Sequence, residues 1–198
     1  MHTINFSGHG GEAISDDFSI QLFAQDVLTY LEKKNIDVIN IFGYSMGGYV
    51  GLYLAKEYPK KTNKIFTLGT KFLWTPEIAA KEIKMLDADK IEEKIPVFAK
   101  ELAQRHSPNN WKTVLEKTKE MMTSLGNNNI LKDADFPSIE HKIQIGIGDK
   151  DTMVTLEETV NVYRQLKNAS FIVLPNTQHP IEKVDLKRLS NEIKLFFY

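Results

Sequence analysis

The chain has 198 residues, 42% of them hydrophobic and 26% charged, with 25 Lys and Arg against 26 Asp and Glu for a formal net charge of −1. That length suits one ordinary domain, or a compact domain with a large insertion, and the composition lacks the basic surplus that nucleic acid or an anionic membrane would call for. Cysteine is absent, which excludes disulfides, thiolate metal sites and cysteine catalysis, so any nucleophile or ligand is an oxygen or a nitrogen.

Thr3–Phe6 reads as a short strand entering a glycine turn. The first residues lack the basic start and apolar run of a secretory signal, so the default location is cytoplasmic. Asp16 and Asp17 are placed to cap a helix over Phe18–Lys34, where Ile20, Phe23, Ala24, Val27, Leu28 and Leu31 recur at helical spacing. Val38–Phe42 is a strand candidate and Met46–Glu57 the helix after it. The uncharged stretch Val38–Ala55 contains Asn40, Ser45 and four glycines, which argues against a membrane span. Lys64–Leu68 is the next strand.

From Lys71 to Ser138 the rhythm becomes helical, with segments at Pro76–Leu86, Ile95–His106 after the charge run Asp87–Glu93, and Asn110–Leu125. Pro76 suits a first helical turn and Gly126 a helix end. Ile143–Ile147 and Ser170–Leu174 supply two more strands, and Ile181–Phe197 a last amphipathic helix. Alternating strands and helices predict an α/β domain with a mostly parallel sheet of about five strands. The core is expected over 1–70 and 139–198, with an all-helical insertion over 71–138.

Gly43-Tyr44-Ser45-Met46-Gly47-Gly48 fits G-x-S-x-G at the point where a strand hands over to a helix. A tight turn there holds the serine in a strained backbone, and side chains at Gly43 and Gly47 are expected to collide with neighbouring backbone. Gly48 and Gly51 would let the helix lie close on the sheet. The plain alternative is a glycine-rich helix start with Ser45 as N-cap. Two further loops hold chemistry just beyond strand ends, where open α/β sheets place their sites: Gly148–Val154, with Asp149 and Asp151, and Asn176–Pro180, with His179.

On these residues the sequence resembles the α/β-hydrolase superfamily, in its small lid-bearing branch of esterases, haloperoxidase-like proteins and C–C hydrolases. Gly43–Gly48 matches the nucleophile elbow, Gly148-x-x-Asp151-x-x-Val154 the acid loop, and His179 the late histidine before the last helix; Ser45, Asp151 and His179 fall in the family's chain order. Phe6–Gly10 looks like the turn after the family's fourth strand, and 71–138 falls where the family carries its lid. The resemblance implies Ser45 as nucleophile, His179 as base, Asp151 as acid and the Met46 backbone N–H as an oxyanion donor. Asp149 competes with Asp151 and otherwise serves as a turn residue satisfying loop amides.

The implied activity is hydrolysis of an ester or related acyl bond of a small molecule, without metal or organic cofactor. A C–C hydrolase or lyase using the same triad is one alternative. A catalytically impaired binding protein is another, because no segment before His2 matches the loop that supplies the family's second oxyanion N–H. Met1 aligns with the start of the family's fourth strand, and the expectation that follows is a homodimer or strand-exchanged assembly covering an incomplete sheet. Tyr44, Phe72, Trp74, Trp111, Met121 and Met122 are candidate pocket residues, with plain core as the competing role. His9 is a candidate for the pocket entrance or the turn itself, whereas His2, His106 and His141 read as surface or strand-edge residues.

Overall fold

The computed structural model describes residues 1–14 and 17–198. The chain forms two compact units, Met1–Leu31 with Trp74–Ile130, and Glu32–Leu73 with Leu131–Tyr198.

In the first unit α1 (Ile20–Lys34) buries the apolar stripe expected of it, Ile20, Phe23, Ala24, Val27, Leu28 and Leu31. Asp16, half of the expected capping pair, lies outside the described residues. Ser19 serves as the cap, its Oγ accepting the Leu22 N–H at 3.0 Å. Thr3–Phe6 is not a strand. Four residues of alternation are a weak strand signal, and this segment makes its contacts on α1: Phe6 stacks on Phe23 at 4.8 Å, and the Ser7 N–H and hydroxyl both donate to the Asp26 carboxylate, at 2.7 and 2.8 Å.

The helical stretch holds α3 (Pro76–Glu82), α4 (Ala88–Lys94), α5 (Pro96–His106) and α6 (Trp111–Asn127). The Asp87–Glu93 charge run is therefore a helix: Asp87 caps it by accepting the Lys90 N–H, and Ala88 and Ile91 turn one face inward. They pack with Ala99, Leu102 and Trp111 in one apolar cluster. Gly126 does not end α6, which runs to Asn127. A Cβ at Gly126 would stand 2.6 Å from Ala79 Cβ and 2.9 Å from the Thr75 carbonyl, so this glycine lets α6 approach α3.

The second unit contains the sheet, whose four described strands are β1 (Ile39–Tyr44), β2 (Thr62–Leu68), β3 (Lys142–Gly148) and β4 (Ala169–Leu174). All pair in parallel in the order β1-β2-β3-β4. The expected fifth strand was Thr3–Phe6, already placed on α1. Central positions such as Ile65, Phe66, Ile143 and Ile145 are fully buried, as strands covered on both faces require. On one face lies α2 (Met46–Glu57), where Gly51 permits close approach to Ile41 and Ile65. On the other, α8 (Leu186–Phe197) packs Leu189 and Phe196 against Phe66, Leu68 and Leu174. Between β3 and β4 runs α7 (Leu156–Gln165), opened by a capping box of Thr155 and Glu158. No helix of the described residues is long and apolar enough to cross a membrane.

Candidate active site

Because the strands are parallel, their carboxyl ends share one edge of the sheet, and the chemistry-bearing loops follow from it. Ser45 leaves β1, Gly69 and Thr70 leave β2, Asp151 follows β3, and His179 follows β4.

At the β1–α2 turn the Ser45 N–H donates to the Leu68 carbonyl at 2.8 Å, extending the β1–β2 ladder by one residue before the chain reverses into the helix. Ser45 then takes φ +50° and ψ −119°, a left-handed backbone seldom held by a residue with a side chain. It stands at the N-cap position, yet its side chain makes no capping hydrogen bond. A helix-capping role therefore leaves the hydroxyl unused. The Thr70 hydroxyl donates to the Ser45 carbonyl at 3.0 Å, bracing the turn from the end of β2.

The two elbow glycines differ. A Cβ at Gly43 would lie 2.5 Å from both the Gly47 carbonyl oxygen and the Gly48 nitrogen, so only glycine fits. At Gly47 a Cβ would meet nothing within 4 Å, which corrects the expectation that both would collide. Gly43→Ala is accordingly expected to lower the melting temperature by the equivalent of about 1–3 kcal/mol, or to prevent folding. Gly47→Ala is expected to stay within about 1 kcal/mol of the parent in the same thermal melt, aided by alanine's helix propensity.

Across the edge, His179 Nδ1 and Asp151 Oδ2 are 2.7 Å apart, in a pair whose side chains are 7% and 2% exposed. The other carboxylate oxygen, Asp151 Oδ1, accepts the N–H groups of Met153 and Val154, each at 2.9 Å. Burial alone would raise the Asp151 pKa, but the hydrogen bond to His179 and these two amides outweigh it and hold the carboxyl below its ordinary value. With Asp151 ionised, Nδ1 carries the proton and Nε2 is left as the acceptor.

Asp149, the competing acid, faces elsewhere. It accepts the Thr177 N–H at 3.0 Å, and the Lys150 N–H donates to the Thr177 carbonyl at 3.0 Å. A Cβ at Gly148 would overlap that same carbonyl. Asp149 thus fastens the histidine loop to the acid loop, and the Asn176 and Thr177 amides hold its carboxyl below the ordinary value.

Gly69, Thr70 and Glu158 carry no motif and were not singled out by sequence reasoning. Gly69 has φ +59°, and a Cβ there would stand 3.2 Å from Asp151 Oδ2 and 3.4 Å from His179 Nδ1, so the pair sits directly against backbone. Glu158, besides capping α7, accepts the N–H groups of Phe72 and Leu73 at 3.1 and 3.3 Å and lies 3.6 Å from Lys71 Nζ. It fixes the segment leaving β2. A positive-φ glycine is legible only as a glycine after a strand, and the Glu158 contacts span more than 80 residues.

Of the candidate pocket residues, Tyr44 directs its hydroxyl to the His179 carbonyl at 2.8 Å. Phe72 is buried in the second unit beside Tyr49 and Phe136. The others belong to the first unit, where Trp111 and Met121 are buried in its interior and Trp74 and Met122 are half-buried. His9 packs among Phe18, Phe23 and His106, and burial lowers its pKa. His106 is buried rather than superficial, its ring 5.6 Å from that of His9. No cluster of three His, Asp or Glu side chains suited to a metal ion occurs among the described residues.

Met46 begins α2, so its N–H points out of the helix start beside Ser45. A strained serine, a buried His–Asp pair and one helix-start amide thus lie at one sheet edge, residue types that nucleophilic acyl transfer uses.

Residues 1–91 match the family described as alpha/beta hydrolase fold. A serine hydrolase from the polyaromatic hydrocarbon-degrading bacterium Cycloclasticus zankles superposes with TM-score 0.74 at 22% identity, over 98% of this chain and 77% of that one. A thermophilic esterase from Thermogutta terrifontis superposes with TM-score 0.70 at 20% identity, over 96% and 76% of the two chains. At these identities the likeness shows the fold. A probable alcohol acetyltransferase of Cyberlindnera jadinii is 28% identical over 79 residues, 39% of this chain and 22% of that protein. The match thus spans less than a quarter of the length of these curated relatives, 23% and 22%.

Proposed function

We propose that this chain belongs to the α/β-hydrolase superfamily and is a serine hydrolase that cleaves an ester or related acyl bond of a small molecule. One observation carries the reading: a left-handed Ser45, free of any capping duty, shares a sheet edge with a His179–Asp151 pair at 2.7 Å. In this reading His179 Nε2 takes the Ser45 hydroxyl proton as Oγ bonds to the acyl carbon. The Met46 N–H stabilises the oxyanion. The bond to the leaving group breaks, and His179 returns the proton to it. Water, deprotonated by the same Nε2, then attacks the acyl-enzyme and frees the acid and Ser45. Throughout, Asp151 holds Nδ1–H and stabilises the imidazolium.

The curated relatives support a second fate for the same acyl-enzyme, capture by an alcohol in place of water. The reading is tested by labelling with a fluorophosphonate probe, using Ser45→Ala as control. Wild type is expected to label and the variant to show none. A folded wild type that does not label favours a binding protein instead. Turnover of a short p-nitrophenyl ester with and without added alcohol then separates hydrolysis from acyl transfer.

A further inference from the structure

We propose that Tyr44 is a positioning residue for His179, its hydroxyl clamping the base to the strand that carries the nucleophile. The kinetic arm of this inference rests on the hydrolase reading; the structural arm does not.

Tyr44 is the last residue of β1 and is covalently joined to Ser45. Its backbone is fixed to β2, by pairing of Tyr44 with Leu68 and by the Ser45 N–H on the Leu68 carbonyl. From that rigid base the side chain reaches a residue 135 positions away and donates its hydroxyl proton to the main-chain carbonyl of His179 at 2.8 Å. The ring also lies against the imidazole, with centroids 5.4 Å apart at 43°. Burial first, and then the charges of Glu182 and Asp151, push the phenol up to about 12, so it keeps its proton and remains a donor at any ordinary assay pH.

The loop bearing His179 needs such a tie. It leaves β4 through Asn176, whose φ is +53°, and is pinned to the acid loop at Thr177. The Thr177 bonds fix the start of the loop, the Asp151 bond fixes the ring through Nδ1, and the Tyr44 bond fixes the main chain of His179 itself. Together they form one chain of links: Ser45 to Tyr44 by the backbone, Tyr44 to His179 by hydroxyl, His179 to Asp151 by imidazole. Tyrosine suits the role because two side-chain torsions reach far at small cost in disorder. Spending the hydroxyl proton on a main-chain carbonyl also leaves the phenol no proton to donate to a substrate.

The test compares wild type with Tyr44→Phe, which keeps the ring and removes only the donor. The expected result is a kcat for a p-nitrophenyl ester about 10-fold lower with KM within twofold, since small misplacements of a base act on the chemical step. The proton shared by His179 Nδ1 and Asp151, observed by NMR and assigned by its loss in Asp151→Asn, should broaden as its exchange with water quickens. Unchanged kcat with an unchanged resonance overturns the proposal. So does a KM raised 10-fold at constant kcat, which would make Tyr44 a substrate contact. Should Tyr44→Phe fail to fold, difluorotyrosine at position 44 keeps the donor at neutral pH and loses it on ionising at alkaline pH. An alkaline fall in kcat absent from wild type supports the clamp, and a flat profile overturns it. If wild type itself neither labels nor turns over, the hydrolase reading fails, and the NMR comparison still decides the clamp.

Discussion

His179→Ala is expected to lower kcat for an ester substrate about 10⁶-fold, as large a loss as removing Ser45. The magnitude follows from the division of labour at the sheet edge. Serine at its own pKa is a weak nucleophile, and in the proposed reading the imidazole takes its proton in the first step and supplies it to the leaving group in the second. Removing it disables both steps while leaving the Met46 N–H and the substrate site in place, so a residual rate of about 10³–10⁴ over water should persist. The double variant with Ser45→Ala should be no less active than either single one, because the two residues act as a unit. The fold should survive, since Asp151 keeps its two amide partners at Met153 and Val154. Stopped-flow acylation with a p-nitrophenyl ester, beside a thermal melt, measures both quantities. A folded His179→Ala variant retaining a tenth of wild-type kcat would remove His179 from the role of base.

How much of this is legible in the chain depends on the reach of each interaction. The elbow could be read because its demands are local: a strand period before Ser45, a helix period after it, and a glycine at 43 whose replacement would strike backbone four and five residues on. The positions of Asp151 and His179 beyond β3 and β4 follow from strand ends, and local turn chemistry left Asp149 and Asp151 open. What separates them is the direction each carboxylate faces, which is fixed by a loop 28 residues away. The same holds for Gly69, Glu158 and the Tyr44 hydroxyl, whose roles exist only once strands distant in sequence are neighbours. Thr3–Phe6 failed as a strand for the complementary reason. Its two apolar side chains fit a helix surface as well as a sheet, and α1 supplied stacking for Phe6 and a carboxylate for Ser7. In α4 the signal was masked by charge, since Ala88 and Ile91 are the pair that turns the run inward.

Asp151→Asn is expected to lower kcat about 10⁴-fold with little change in KM, whereas Asp149→Asn should stay within a few-fold of wild type. In the first variant the asparagine oxygen can still accept from Met153 and Val154, which turns the amide nitrogen toward His179. That nitrogen is a donor, so Nδ1 must become the acceptor and Nε2 must carry the proton, leaving no basic nitrogen for Ser45. The active site keeps its shape and loses its tautomer. Asp149→Asn keeps an acceptor for the Thr177 N–H, the bond by which Asp149 holds the histidine loop. The two variants also separate under acid. Both carboxyls are held below their ordinary value of 3.8, so each contributes stability that is complete above that pH and lost as pH falls through its lower folded value. Wild-type melting temperature should therefore drop on acidification below pH 4, and each Asn variant should show a smaller drop, having no carboxylate there to protonate. Equal kcat losses in the two variants, or a larger loss in Asp149→Asn, would return the role of acid to Asp149.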